Sequence, residues 1–190
     1  GCVKPQNDVF VELDFNAAEV RTLLALSGHT QPADDIHEWL SRDLYGGRHN
    51  RSETKVKLFS WLYNFSAPEN EFSKFFSREI FRDFYSSCTG TLKTPYGRRI
   101  AVEEKKAQNY LLQSTTSDIV TENAYKIMKM LTNKRSNIAF TMHDSIILDF
   151  SREDAIILTE IKDQFEATPW GRFPSTCKIG KTFDNLKEIQ

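Results

Sequence analysis

Apolar and polar residues alternate through VFVELDF, Val9–Phe15, and this period of two predicts a β-strand. The period then lengthens. In NAAEVRTLLALSG the Ala, Val and Leu residues recur at helical spacing, and Gly28 marks the stop. QPADDIHEWLSRDLYGG predicts a short helix between a proline and a glycine pair. RSETKVKLFSWLYNFSA, Arg51–Ala67, predicts another, ended by Pro68. EFSKFFSREIFRDFYSSC has the spacing of an amphipathic helix rich in phenylalanine. TLKTPYGRRIAV offers two strand-like pieces about a Pro-Tyr-Gly turn, and a long helical stretch follows from Glu103 to Leu131. NIAFTMHDSIILDF, Asn137–Phe150, has β-branched and aromatic residues on both sides of His143, Asp144 and Ser145, the pattern of a hairpin. A helix near Arg152–Glu166 and a short strand near Thr176–Ile179 complete the chain. Strands at both ends with helices between them predict an α+β fold with a helical insertion.

A chain of 190 residues can bury one substantial core, or a core plus a lobe. Hydrophobic content of 39% with 27% charge is that of a soluble globular protein. No apolar run approaches the roughly 18 residues of a membrane helix, and no signal peptide opens the sequence. The net charge of −1 says little for a nucleic-acid partner, but its distribution changes the picture. Residues 48–106 hold twelve Lys and Arg against seven Asp and Glu, and the remainder holds thirteen against nineteen. A basic middle between acidic flanks suggests an anionic ligand held by one lobe and carboxylates concentrated elsewhere, although a solvated charged surface would give the same counts. Cys2, Cys88 and Cys177 are far apart and lack metal-type spacing, so free thiols in a reducing cytoplasm are expected.

Two carboxylates stand where chemistry could be done: Asp14 at the end of the first strand and Asp144 at the hairpin tip. Each reads alone as an ordinary strand-end or turn residue. Converging at one sheet edge they would form a hard-oxygen site for Mg²⁺, which takes one or two carboxylates plus substrate phosphates. A partner element is available. Arg51, Lys55, Phe59 and Tyr63 recur every four residues, so one helix face carries two cations and then two aromatics. Cations can grip a polyphosphate and aromatics can pack on a sugar and base. The same face would also suit a helix with solvated cations and core aromatics.

Together these segments resemble the motifs of the family-A DNA polymerases. DFNAAEVRTLLALSG is similar to motif A, with its Asp-aromatic-Ser-x-x-Glu-x-Arg core, and Asp35-Ile36-His37 matches a family tripeptide. RSETKVKLFSWLYNFSA resembles motif B, TPYGRRI the Gly-Arg-Arg segment, and NYLLQSTTSD the Asn-x-x-x-Gln-Gly-Thr-x-x-Asp helix. MHDS falls at motif C, His-Asp-Glu, and CKIGKTFDNL looks like the closing strand. Six matches in the family's order span Asp14 to Asp144. The resemblance implies an antiparallel palm sheet with a helical fingers insertion: palm in residues 1–34 and 101–190, fingers in 35–100. It also implies that the thumb is absent.

By resemblance, Asp14 and Asp144 hold two Mg²⁺ ions and the chain transfers a dNTP to the 3′-hydroxyl of primer–template DNA. Arg51 and Lys55 would bind the triphosphate with His37 assisting, and Lys55 would protonate the leaving pyrophosphate. Phe59 would pack on the sugar, Tyr63 would stack beside the template base, and Glu19 would exclude a 2′-hydroxyl. Asn109 and Gln113 would read the minor groove, where acceptors recur whichever way an A·T pair faces. Arg98 and Arg99 would hold a phosphate backbone, and His143 would lie beside the primer. The family also implies the cytoplasm of a bacterial or phage-infected cell, at the nucleoid, with an organelle left open.

Three departures stand out. Ser145 replaces the usual Glu of motif C, and Asn64 and Ser114 replace glycines. The chain also begins almost at motif A, so a thumb and the first part of the palm are expected on a longer chain or a separate subunit. Rival readings are a single-subunit RNA polymerase-like fragment, which shares His-Asp-Ser but lacks a Glu19 equivalent, and a non-catalytic nucleic-acid-binding palm and fingers subunit. An unrelated Mg²⁺-dependent nucleotidyl module would leave the ordered motifs unexplained.

Overall fold

The computed structural model describes residues 3–64 and 67–189. β1 (Val9–Phe15) has the predicted bounds, and Ala17, at φ 56, turns the chain into α1 (Ala18–Leu26). α2 (Ile36–Tyr45) opens on Asp35, whose carboxylate accepts the N–H groups of His37 and Glu38. It closes on Gly46 at φ 58, a left-handed cap that glycine adopts without a Cβ clash. A capping box starts α3 (Arg51–Tyr63): Asn50 accepts the Glu53 N–H while the Glu53 carboxylate accepts that of Asn50. α3 ends at Tyr63 on an extended Asn64, short of the expected Ala67. Residues 65 and 66 of the expected helix, and Cys2, lie outside the described residues.

The stretch 71–88 departs from expectation. It forms two 3-10 turns, Glu71–Lys74 and Ile80–Asp83, and then β2 (Tyr85–Ser86). Its aromatics serve two separate cores. Phe72 packs against Tyr45 and Trp61, whereas Phe81 joins Leu92, Ala107 and Leu111. Between them Arg78 lies 4.6 Å over the Trp61 ring and donates to the carbonyls of Trp61, Asn64 and Ala67. One straight helix cannot meet all three demands, so tertiary contacts override the local period.

β3 (Thr91–Lys93), β4 (Arg99–Ala101), α4 (Glu104–Met130), β5 (Asn137–Met142) and β6 (Ser145–Phe150) follow where expected. The next helix begins as a 3-10 stretch, Arg152–Ile157, and continues as α5 (Leu158–Glu166). The short pair β7 (Ala167–Thr168) and β8 (Gly171–Arg172) was not anticipated. β9 (Ser175–Gly180) is the predicted closing strand, and β10 (Lys187–Ile189) adds one more.

The chain divides into two compact units, one running up to Ala18 and resuming at Thr116, the other Glu19–Thr115. The first is built on a five-stranded antiparallel sheet in the order β10-β9-β1-β6-β5. Val11, Leu13 and Phe15 point to one face of its central strand and are buried. Phe15 stacks on Phe165 of α5 at 4.1 Å and meets the Phe173 edge at 5.9 Å. The opposite face of β1 carries Glu12 and Asp14. In the same unit the Asn123 amide of α4 donates to the carbonyls of Phe165 and Ala167. The second unit pairs α2 with α3 and holds the small antiparallel sheet β2-β3-β4.

Candidate active site

In the first unit the hairpin brings the two predicted aspartates together. β5 and β6 are joined by His143 and Asp144, with His143 at φ 54, a conformation uncommon outside glycine and frequent at functional turns. Asp14 pairs in register with Ser145, and the Phe15 N–H donates to the Asp144 carbonyl at 3.2 Å. The Asp14 and Asp144 carboxyls therefore lie within hydrogen-bonding reach of each other. Burial, then the neighbouring Asp144 charge, pushes the Asp14 carboxyl up to about 6, with Lys178 opposing the rise. Ser145 is buried and donates its hydroxyl to the Met142 carbonyl at 2.9 Å, so it closes the hairpin and adds no charge.

Two neighbours of this pair were not foreseen. Glu12 shares the face of Asp14, and Lys178 on β9 is the register partner of Glu12. The Lys178 Nζ lies 2.8 Å from the Glu12 Oε2 and 3.8 Å from the Asp14 Oδ2. The period of two in VELD already put Glu12 and Asp14 on one side, but the sequence could not supply the cross-strand register that adds Lys178.

The second unit assembles the predicted nucleotide-binding residues. Arg51 and Lys55 are exposed on α3, and Phe59 and Tyr63 are half-buried further along. The Phe59 and Tyr63 rings stack with centroids 5.8 Å apart, and the Lys55 Nζ lies 6.0 Å from the Phe59 centroid. Tyr63 donates its hydroxyl to the Glu19 Oε2 at 2.6 Å; burial first, and then this bond, raise the Tyr63 phenol pKa. Arg51 donates to the Asp35 Oδ2 at 2.8 Å, which ties α3 to the cap of α2. Burial lowers the His37 imidazole to about 4, opposed by Asp35 and assisted by Arg51, Lys55 and Arg21. His37 is thus neutral near pH 7, and its Nδ1 has no hydrogen-bond partner among the described residues.

Arg21, in α1, is fully buried and donates to the carbonyls of Pro32 at 2.9 Å and Asp34 at 2.8 Å. It fixes the loop that delivers Asp35 and His37. Its position in the motif A pattern was the only sequence signal for it.

On α4, Asn109 is half-buried with its Oδ1 unpartnered among the described residues, and Gln113 is exposed. Arg98 donates to the Ser114 carbonyl at 2.6 Å, and Arg99 is exposed on β4. Asn64 sits at φ −101, so no glycine is required there.

Among the described residues no group of three or more His, Cys, Asp or Glu side chains is placed to hold a metal ion. The first unit instead offers two hard carboxylate donors, one of them pushed toward its neutral form by burial and then by the other. A divalent cation with further oxygens from substrate and water relieves that repulsion, so the donor set fits Mg²⁺. Among the described residues no helix is long and apolar enough to cross a membrane. Cys88 is exposed and Cys177 buried, both as free thiols.

No protein-family model matches the chain, and no curated protein sequence matches it. Among solved structures it is similar to the POL domain of Pol1 from M. smegmatis in complex with DNA primer-template and dNTP, at a TM-score of 0.77 and 18% identity. That alignment covers 96% of this chain and 41% of the other, so the chain spans about two fifths of that neighbour's length. Identity this low speaks for the fold alone: the mixed helices and antiparallel sheet of this chain resemble a polymerase domain.

Proposed function

We propose that this chain is the palm and fingers part of a family-A-like DNA polymerase, transferring a deoxynucleotide from its triphosphate to a primer 3′-hydroxyl on a DNA template. The observation that carries the reading is the Asp14–Asp144 pair, set side by side at the end of an antiparallel sheet with the polymerase-domain fold. Palm would comprise residues 1–34 and 101–190, and fingers 35–100. A thumb and the remaining palm would come from a longer chain or another subunit.

Asp14 and Asp144 would hold two Mg²⁺ ions. When bound, the ions supply a lowered pKa at the primer hydroxyl and charge neutralisation at the leaving pyrophosphate. The protein's own share is positioning and charge. Arg51 and Lys55, exposed on one face of α3, would grip the triphosphate, and Lys55 would give a proton to the departing pyrophosphate. His37, being neutral, would contribute an N–H rather than a charge. Phe59 would pack on the sugar, and Tyr63 would stack beside the template base. Glu19, held by the Tyr63 hydroxyl, would stand against C2′ and reject a 2′-hydroxyl. That bond favours DNA over RNA synthesis, because the RNA polymerase reading has no residue like Glu19. Asn109 and Gln113 would sense the minor groove, Arg98 and Arg99 a phosphate backbone, and His143 the primer end. The ligands would be primer–template DNA and dNTP, and the site of action the nucleoid of a bacterial or phage-infected cell.

Primer extension tests this. With Mg²⁺ and dNTPs, Asp144→Asn should extend a primed template at least about a hundredfold more slowly than the wild type. Undiminished extension would overturn the assignment and favour a non-catalytic role. In the same assay Glu19→Ala should admit ribonucleotides that the wild type rejects.

A further inference from the structure

We propose that Lys178 is a tethered counter-cation that weakens the resting affinity of the Asp14–Asp144 pair for a divalent ion. The inference rests on the metal reading above.

Glu12 and Asp14 are two residues apart on β1 and so share a face. Across on β9, Lys178 pairs with Glu12 and Thr176 pairs with Asp14, which sets the ammonium diagonally beside Asp14. Its Nζ is 2.8 Å from the Glu12 Oε2 and 3.8 Å from the Asp14 Oδ2. The Glu12 side chain is only 10% exposed, and a charge that buried demands a partner. Lys178 is therefore held in place, unlike a mobile surface lysine.

The charge count of the face gives the ammonium its effect. Ser145 carries a hydroxyl and no carboxylate, and that hydroxyl is committed to the Met142 carbonyl. Three further carboxylates share this face: Glu12, which Lys178 pairs with at 2.8 Å, Glu188, the register partner of Lys178 on β10, and Asp149, the register partner of Phe10. A positive charge fixed this close to a ligand oxygen repels an incoming cation, and solvent screening leaves an effect of about tenfold in affinity.

The test is Mn²⁺ binding to the 190-residue chain, without nucleotide or DNA, read from the paramagnetic resonance of free Mn²⁺. Lys178→Met should bind the ion about tenfold more tightly than wild type, and Lys178→Arg within about twofold of it. Lys178→Met leaves Glu12 buried and unpaired, so the double variant Glu12→Gln/Lys178→Met removes the pair together. It should still bind more tightly than wild type, because the lost positive end stands 3.8 Å from the Asp14 Oδ2 and acts on Asp14 more strongly than Glu12 does. Binding at or below the wild-type level in both Lys178→Met backgrounds overturns the inference. Asp14→Asn separates the two readings. If it abolishes binding while the Lys178→Met variants gain nothing, only the role of Lys178 falls. If the ion binds as well without Asp14, the metal assignment falls and this inference with it.

Discussion

Asp14 works against the stability of its own strand. Its carboxyl is pushed to about 6 by burial and by Asp144, whereas an ordinary aspartate titrates at 3.8. Below 3.8 the residue is neutral folded or unfolded and costs nothing. As pH rises through 6, the folded chain must carry a charge that its surroundings resist, and stability falls across that window. The side chain is 36% exposed, so solvent screening reduces the penalty to about 1 kcal/mol. Asp14→Asn should accordingly be more stable than wild type at pH 7 by about that amount, with the gain vanishing near pH 4. Denaturant titrations at the two pH values measure it; equal stability at pH 7 would contradict the carboxylate repulsion. A residue kept at such a cost fits a site built to hold cations rather than to hold itself together.

At the scale of elements, α3 depends on its start. The Asn50–Glu53 capping box satisfies two of the amide groups that open the helix, and Arg51 follows directly at the first helical position. Asn50→Ala should cost about 1 kcal/mol. For a chain of this length that lowers the melting temperature by about 2–4 °C. Fraying there would also loosen the Arg51–Asp35 bond, so under the proposed function dNTP binding should weaken more than stability alone accounts for. Equilibrium binding beside a thermal melt separates the two effects. The same helix shows how local signals behave: its cap, face and period were legible because they arise within one turn of each other. Residues 71–88 had an equally helical spacing and failed, because Phe72 and Phe81 answer to two different cores.

For the whole molecule, a ligand that binds the folded state stabilises it by mass action. Mg²⁺ at about ten times its dissociation constant should add about 1.4 kcal/mol, and chelation should remove it. Neither effect should appear in Asp144→Asn, as a thermal melt with and without the ion would record.

Elements whose cause is local could be read from the order of residues. Alternation made β1, a polar centre between apolar runs made the β5–β6 hairpin, and capping residues bounded α2 and α3. The order of motifs around them also made Asp14 and Asp144 candidates. That these two residues meet came from the folded sheet, since it depends on Asp14 pairing with Ser145 across 131 positions of chain. The sheet also put Lys178 beside them, through pairing of β9 with β1. Side-chain periodicity says which face a residue occupies, but strand order and register say which residue stands opposite, and those are set by how the whole sheet buries its apolar face.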